Sequence, residues 1–375
     1  MKPFVAIYRT VYFLSSEAFI PSQMLALKQY RCALWCRDLI LGANYGFNGF
    51  NVENIRAFSG FFGKLAVTAF GCLRVRDTPL LIHAHFGPDA AMIMPFAKRN
   101  NIPLIVTMHG IDVQQSRWRQ VLSGKLSNWL FLLREKSLYD YASKVVVVSE
   151  YLKIRLLSRG CPAEKIEVIY IGTDIQKFNI GRHQRFRFRL VNVSRHVDWK
   201  GIDTILKALS ILVREFPAVQ LIQIGSGSET EKLKSLAREL NVERHVEWRG
   251  SLCHQEVVLE MQRAELYVHA ARYDKNGQTE AFGISLIEAQ ACGLPVVSTN
   301  SGGIAEAVSF DCRDFLVEEN DYIDLANKVR IMLLDSKKTN FIGLSARSFV
   351  CDYYDINKCT LGVERLYNEV LGKIV

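Results

Sequence analysis

Two glutamates, an arginine and a lysine pose the chemical question in this chain. In TEAFGISLIEAQACGLPVVSTNSGGIAEAV, residues 279–308, Glu280 and Glu288 stand with seven residues between them. Only Glu288 falls well inside the helix that ISLIEAQAC implies. Gly283 opens that helix, and Gly293 followed by Pro295 closes it, a C-cap glycine and then a proline that starts the next strand. The first-turn amides of Ile284, Ser285 and Leu286 lack intrahelical partners, and the helix dipole there favours an anion. That preference contributes only about 0.3–2 kcal/mol, enough to orient a phosphate rather than to bind one. A diphosphate at the N-terminus puts a ribose about one turn (~5.4 Å) along the flank, within reach of Glu288. The third part of the ligand, a sugar, then projects ahead of the helix toward Glu280. The spacing fits a sugar nucleotide. The bland alternative is an acidic first turn with an incidental glutamate.

A second stretch, VNVSRHVDWKGIDTILKAL (191–209), reads as strand, basic loop and helix. Arg195 and Lys200 flank its turn and can neutralise a diphosphate leaving group, where loss of one such contact typically lowers a rate ~10²–10³-fold. The competing reading is a solvated basic loop. In IGSGSE (224–229), Gly225 and Gly227 follow a strand and let the backbone approach a ligand, although G-x-G alone is more often just a turn. At the corner WRGSLCHQE (248–256), Gly250, Ser251 and Leu252 are candidates to receive a nucleotide base. TMHGIDV (107–113) ends a strand with His109, which can touch the transferred group or serve as a structural histidine. HAHF sets His83 and His85 on one face of a strand, so a metal on three histidines is conceivable. No carboxylate or cysteine follows at useful spacing, and there is no D-x-D. No metal ligands are therefore assigned, and a metal-independent reaction is expected.

At 375 residues the chain is too long for one ordinary core, and two domains are expected. The composition, 49% hydrophobic, is that of a folded protein. No apolar run approaches the roughly 18–20 residues that span a bilayer, and MKPFVAIYRTVYFLSSE lacks the features of a signal peptide. Nine cysteines without a C-x-x-C pair suggest reduced thiols in a cytosolic protein, with Cys32 and Cys36 expected on one helix face. Charge is uneven. Residues 1–180 carry 22 Lys and Arg against 12 Asp and Glu, whereas residues 181–375 carry 25 against 26. No nucleic-acid-binding signature accompanies the basic half, so an anionic membrane surface or substrate is the better match. Within it, residues 118–144 interleave Arg119, Lys125, Arg134 and Lys136 with Trp118, Trp129 and Phe131. Residues 117–136 are thus either a membrane-docking segment or an ordinary amphipathic crossover.

Elements that could hold these residues follow from periodicity. Short β-branched runs at 4–8, 80–86, 103–109, 144–149 and 167–171 alternate with helical patterns, and so do runs at 188–194, 219–225, 245–250, 265–270 and 294–299. The pattern predicts two doubly wound α/β halves with parallel sheets. The join is expected in the polar stretch 172–187, giving domains 1–180 and 181–352. A last helix is left over, and residues 353–375 are expected to pack back on the first domain. In such sheets ligands bind at the carboxyl ends of strands, and the motifs above stand immediately after strands.

Together these motifs resemble the retaining glycosyltransferases of family 4, which have the GT-B fold of two facing Rossmann-like domains with a cleft between them. TEAFGISLIEAQACGLPVVSTNSGG is similar to that family's E-x7-E block, SRHVDWKG to its basic donor loop and IGSGSE to its glycine loop. HAHFG, TMHGIDV, VVVVSEYLKIRLLSRGCPAEKIEVIYIGTDIQKF and EWRGSLCHQEV follow in the family's order, so the resemblance covers nearly the whole chain. SSEAFIPSQMLAL (15–27) resembles SETF-type starts of members that build surface polysaccharides, and departs from the Gly-Gly diphosphate loop common elsewhere.

The resemblance implies that Arg195 and Lys200 hold the donor diphosphate, with backbone contacts from Gly283, Ile284, Ser285 and Leu286. Glu288 would hold the ribose, Glu280 the donor sugar and His109 the same sugar from the other domain. It implies a UDP- or GDP-sugar donor, a lipid-linked glycan acceptor, and front-face substitution with retention at the cytoplasmic face of a membrane. Glycosidases also use two carboxylates, but those flank one bond, so hydrolysis is not the expected main reaction. The alternatives are a GT-B nucleotide-sugar epimerase and a non-catalytic sugar-nucleotide-binding subunit.

Overall fold

The computed structural model describes residues 2–11, 17–38, 51–55, 60–182 and 184–372. It resolves into two compact units. The first comprises residues 1–172 and 356–375, the second residues 173–355. The chain thus leaves the first unit at 172/173, at the start of the polar stretch 172–187 where the join is expected and ahead of the expected domain edge at 180/181.

Seven parallel strands form the sheet of the first unit: β1 (Phe4–Val11), β2 (Arg31–Asp38), β3 (Asn51–Asn54), β4 (Leu81–His85), β5 (Leu104–Met108), β6 (Lys144–Val147) and β7 (Ile166–Val168). Their order is β3-β2-β1-β4-β5-β6-β7, so the winding reverses between β1 and β4. Strands β4 and β5 are buried at every residue, the mark of a parallel sheet covered on both faces. Val5, Ile7, Leu34, Leu81, Ile105 and Val146 of this sheet pack with Ile20 and Met24 of the helix Phe19–Ala26. The helix Ile356–Val370 adds Val363, Leu366 and Tyr367 to the same core. Polar contacts tie it down: Glu364 accepts from the amides of Lys28 and Gln29, and the Tyr30 hydroxyl donates to Asn368.

Cys32 and Cys36 lie on a strand, not on a helix: β2 pairs with β1 in register Val5↔Cys32 and Arg9↔Cys36. Their spacing of four serves one face of a strand as well as it serves one face of a helix, and β2's position between two neighbours decides it. All nine cysteines are free.

The second unit has six parallel strands: β8 (Arg189–Val193), β9 (Gln220–Ile224), β10 (Val246–Gly250), β11 (Leu266–Val268), β12 (Val296–Thr299) and β13 (Leu316–Val317). Their order is β10-β9-β8-β11-β12-β13, which puts the switch point between β8 and β11. The helix Ile202–Glu215 buries Ile202, Ile205, Leu206, Leu209 and Leu212, the 3.6-residue stripe of a crossover helix. The loops after β8 and β11 are those of Arg195, Lys200 and Glu280. No helix among the described residues is long and apolar enough to cross a membrane.

Candidate active site

The second unit gathers its charged side chains where its sheet changes direction, the position at which open parallel sheets take ligands. After β8 the chain passes Arg195 and enters a short 3₁₀ turn, Asp198–Lys200, that ends at Gly201. Gly201 has φ +62°, and a Cβ there would lie 1.8 Å from the Ala270 carbonyl oxygen beyond β11. Only glycine lets the turn lie this close to β11. The result is that Lys200 points inward. It is 9% exposed, so the competing reading of a solvated basic loop does not hold for Lys200. Its Nζ makes a buried ion pair with Glu280 Oε2 and sits 4.3 Å from the centre of the Trp199 ring. Arg195 remains exposed, with its guanidinium 5.8 Å from the same ring. Trp199 therefore spaces the two cations that the sequence had grouped.

Glu280, 8% exposed, has a second neighbour in His269, whose Nε2 lies 3.3 Å from Oε2. Burial alone would raise the Glu280 carboxyl, but Lys200 and His269 outweigh it and hold the group down at about 2. Burial pushes the His269 imidazole down, so it meets the carboxylate as a neutral ring. The loop carrying Glu280 is clamped by NSGG. Gly303 N donates to the Glu280 carbonyl at 3.0 Å, and the Thr279 and Ser301 hydroxyls are 2.5 Å apart.

Gly283 caps the helix Ile284–Ala291 in a left-handed conformation. Leu286 N already donates to the Gly283 carbonyl at 3.0 Å, which corrects the expectation that three first-turn amides are open. The amides of Ile284 and Ser285 remain. The Ser285 hydroxyl accepts from Tyr267 at 2.8 Å, fixing its rotamer. Glu288 follows about one turn further on. It is half-buried, and burial pushes its carboxyl up to about 8 against the pull of Lys177. Burial thus favours the protonated form of Glu288, where the sequence reading took it as a carboxylate.

The glycine loop answers first to its neighbours. A Cβ at Gly225 would come within 2.0 Å of the Ser194 carbonyl oxygen, and one at Gly227 within 2.4 Å of that of His196. These glycines are required by close packing against the loop of Arg195, independently of any ligand. Gly250 has open space beside it, its carbonyl accepts from Gly225 N at 2.8 Å, and Ser251 Oγ lies 2.9 Å from Ser226 Oγ. Leu252 is half-buried beside them.

In the first unit His109 follows β5. Its Nε2 lies 2.9 Å from Nδ1 of His85, and its ring packs against Phe19 and Phe86. Burial holds both imidazoles well below the ordinary histidine range, so both are neutral. The turn that presents His109 is held by Asp112, which accepts from Gly110 N at 2.9 Å and Gly87 N at 3.0 Å. His83 uses both nitrogens, at 2.6 Å from the Tyr367 hydroxyl and 2.6 Å from Thr107 Oγ1. Among the described residues, no group of three or more His, Cys, Asp or Glu side chains is arranged to hold a metal ion.

Comparison with known proteins bears on the whole arrangement. Residues 175–349 match the family model of glycosyl transferases group 1, and residues 56–177 that of glycosyltransferase family 4. The chain belongs to these glycosyltransferase families. The putative colanic acid biosynthesis glycosyltransferase WcaL of Escherichia coli is 28% identical over 250 residues, which are 66% of this chain and 59% of that protein. A GDP-mannose-dependent alpha-(1-6)-phosphatidylinositol monomannoside mannosyltransferase of Mycobacterium tuberculosis is 30% identical over 222 residues, 56% of this chain and 58% of that one. The matched region therefore spans less than two thirds of either relative. Among solved structures, HepE of Anabaena in complex with UDP and glucose superposes with a TM-score of 0.76 at 20% identity, covering 97% of this chain and 99% of HepE. At that identity the likeness establishes the fold, GT-B.

Three residues of the charged cluster and its surroundings escaped the reading of the sequence. His269 ends ELYVHA, and a histidine that closes a buried strand was a usable signal. Lys177, beside Glu288, lay in GTDIQKF, read as a join and as the end of a family block, with no role given to the lysine. Trp199 was visible between the two cations but had no assigned task.

Proposed function

We propose that this glycosyltransferase moves one sugar, with retention and without a metal, from a UDP- or GDP-sugar to a lipid-linked glycan during assembly of a cell-surface polysaccharide. The observation that carries the reading is the buried Lys200–Glu280–His269 cluster ahead of the helix Ile284–Ala291, with Glu288 one turn along it. A diphosphate competes with Glu280 for Lys200, adds Arg195, and meets the amides of Ile284 and Ser285. The released Glu280 carboxylate then faces the sugar, where positive charge develops as the leaving group departs. Glu288 takes the ribose. The colanic acid biosynthesis of WcaL and the phosphatidylinositol mannoside acceptor of the mycobacterial enzyme support a polysaccharide or lipid-linked acceptor, and the UDP and glucose bound by HepE support the donor class.

A membrane surface is part of the same reading. The helix Leu126–Tyr141 buries Phe131, Glu135, Leu138 and Tyr139. A different stripe, Leu126, Trp129 and Leu133, is 51%, 47% and 77% exposed, and it continues into Trp118 and Leu122 at 79% and 78%. Arg119, Lys125 and Lys136 border it and are exposed, while Arg134 is already committed to the carbonyls of Ala91 and Ala69. Apolar side chains rimmed by cations suit the cytoplasmic, anionic face of a membrane on which the acceptor resides.

The deciding experiment measures melting shifts with UDP, GDP and their common sugars, then product formation with the donor that stabilises most. Stabilisation together with transfer to a lipid-linked acceptor supports the proposal. Donor binding with interconversion of the sugar and no transfer would make the protein an epimerase instead.

A further inference from the structure

Behind the charged cluster of the second unit stands an arginine to which the donor chemistry gives no task. Arg272 follows β11, and its side chain is 15% exposed. Its guanidinium reaches back to the turn that carries Lys200. One terminal nitrogen donates to Asp198 at 2.7 Å. The other donates at 3.0 Å to Asp203, in the first turn of the helix Ile202–Glu215, and at 3.0 Å to Asn320. The backbone amide of Arg272 donates to the Trp199 carbonyl at 2.9 Å. Asp198, Trp199 and Asp203 bracket Lys200 and Gly201 in the chain, and Arg272 holds all three.

The same segment also reaches the loop of Glu280. The amide of Tyr273, next in the chain, donates to Glu319 at 2.9 Å. Glu319 accepts from the Ser301 hydroxyl at 2.5 Å, and Ser301 is the partner of Thr279, the residue before Glu280. Two consecutive residues therefore brace the two segments whose side chains meet in the Lys200–Glu280 pair. Asp198 and Asp203 carry like charges on either side of one turn, and without a cation between them they repel. A guanidinium offers separate donor nitrogens to two carboxylates at once, which a lysine ammonium matches poorly.

We propose that Arg272 is a positioning residue for Lys200: by pinning Asp198, Trp199 and Asp203 it fixes the turn from which Lys200 meets the donor diphosphate. The inference rests on the donor role of Lys200 proposed above. Arg272 acts through the turn rather than on the nucleotide. The Ala270 carbonyl, against which Gly201 packs, lies only two residues before Arg272. Close approach and clamp thus fall on one short stretch after β11. Loosening the clamp shifts Lys200 away from the diphosphate while its charge stays in the chain.

The test compares the full chain with its Arg272→Gln and Arg272→Lys variants, first without nucleotide. Amide hydrogen exchange over residues 197–204 should quicken about 10-fold in Arg272→Gln, as in a locally opened segment, while β8 and β9 keep wild-type rates. Unchanged exchange in that turn would overturn the clamp. Binding is then measured with UDP and UMP, or with GDP and GMP if the wild type takes guanine. Affinity for the diphosphate and the rate of transfer should each fall about 10-fold, short of the ~10²-fold that a 1 Å misplacement can cost. The monophosphate, which lacks the second phosphate, should bind as to the wild type. Arg272→Lys keeps one donor for Asp198 or Asp203 and should show the same pattern at smaller amplitude, which preserves the comparison if the glutamine variant does not fold. Equal losses for diphosphate and monophosphate would mean general loosening of the unit and end the positioning role. Faster exchange with unchanged diphosphate binding would end it too. A wild type that binds neither UDP nor GDP would instead refute the donor reading, while the exchange rates would still decide the clamp.

Discussion

The two units place a buried polar cluster beyond the strand ends near the switch points of their sheets, and they solve the electrostatic problem in opposite ways. In the second unit Lys200 and Glu280 are both charged and neutralise each other, with the Glu280 carboxyl held at about 2. In the first, His85 and His109 are discharged by burial and exchange a neutral hydrogen bond. An ionic cluster can exchange one partner for an anionic ligand without exposing an unpaired charge. A neutral cluster can only orient hydroxyls. On the function proposed above, that difference gives charge stabilisation to the second unit and recognition to the first.

The largest effects should come from breaking the ionic cluster. Lys200→Ala leaves the Glu280 carboxylate buried without its cation, a loss that typically destabilises by about 3–5 kcal/mol. It also removes a diphosphate contact, so transfer should fall ~10²–10³-fold. Arg195→Ala, at an exposed position, should lower transfer by a similar factor while melting stays close to wild type. Equal melting losses in both variants would erase the distinction drawn between them. Lys200→Ala with wild-type stability would show that the ion pair does not organise the unit.

This contrast was only half legible in the sequence. Arg195 and Lys200 were recognisable as a pair because both follow an apolar strand, and most strands were legible as β-branched runs. The burial of Lys200 was not, because it depends on Gly201 meeting the Ala270 carbonyl, a contact across 69 residues of chain. Strand β2 was missed for a related reason: RCALWCRD is bounded by charges, and its neighbours β1 and β3, not its own pattern, make it a strand. The E-x7-E spacing located both glutamates. It could not distinguish a carboxylate pinned by a lysine from an acid raised by burial, since that difference comes from Lys200, His269 and Lys177 arriving from distant segments.

That difference gives the next effect, in pH. The folded Glu280 carboxyl lies below its ordinary value, so its stabilising contribution is present above about 4.5 and is lost as pH falls toward 2. Glu288 runs the other way. Its carboxyl is raised to about 8, so its contribution is present at acid pH and is lost as pH rises from about 4.5 through 8. Glu288→Gln should therefore flatten the fall in stability over that window and weaken nucleotide binding, whereas Glu280→Gln should slow transfer and leave UDP binding nearly intact. If the ribose needs the ionised form, UDP affinity should rise toward pH 8 in the wild type, with proton release visible as buffer-dependent heats. Calorimetry that assigns the binding loss to Glu280→Gln would exchange the two roles.

A smaller effect tests the charge contrast between the units. Each Lys or Arg near an anionic surface contributes on the order of 1 kcal/mol. Replacing Arg119, Lys125 and Lys136 with Gln should release the protein from anionic liposomes, and Trp118→Ala with Leu122→Ala should do so with less dependence on salt. Nucleotide binding should not change in either variant. Arg134→Gln, in contrast, should lower melting, because its guanidinium serves the carbonyls of Ala91 and Ala69. Failure of the wild type to sediment with anionic vesicles at low salt would leave the exposed Trp and Leu stripe to another partner.

The smallest expected effect is none, and it sharpens the comparison most directly. If charge is handled in the second unit by Lys200, Arg195 and the amides of Ile284 and Ser285, a divalent cation has no phosphate charge left to neutralise. Among the described residues, no three side chains of the first unit are arranged to hold a metal ion either. EDTA should then leave the transfer rate unchanged, and added magnesium or manganese should not raise it. Loss of transfer in EDTA with recovery on a divalent ion would mean that the two clusters do not divide the work as argued. His85→Phe then locates the ion: a metal requirement abolished by that substitution belongs to the first unit's histidines, and one that survives it belongs to the donor diphosphate.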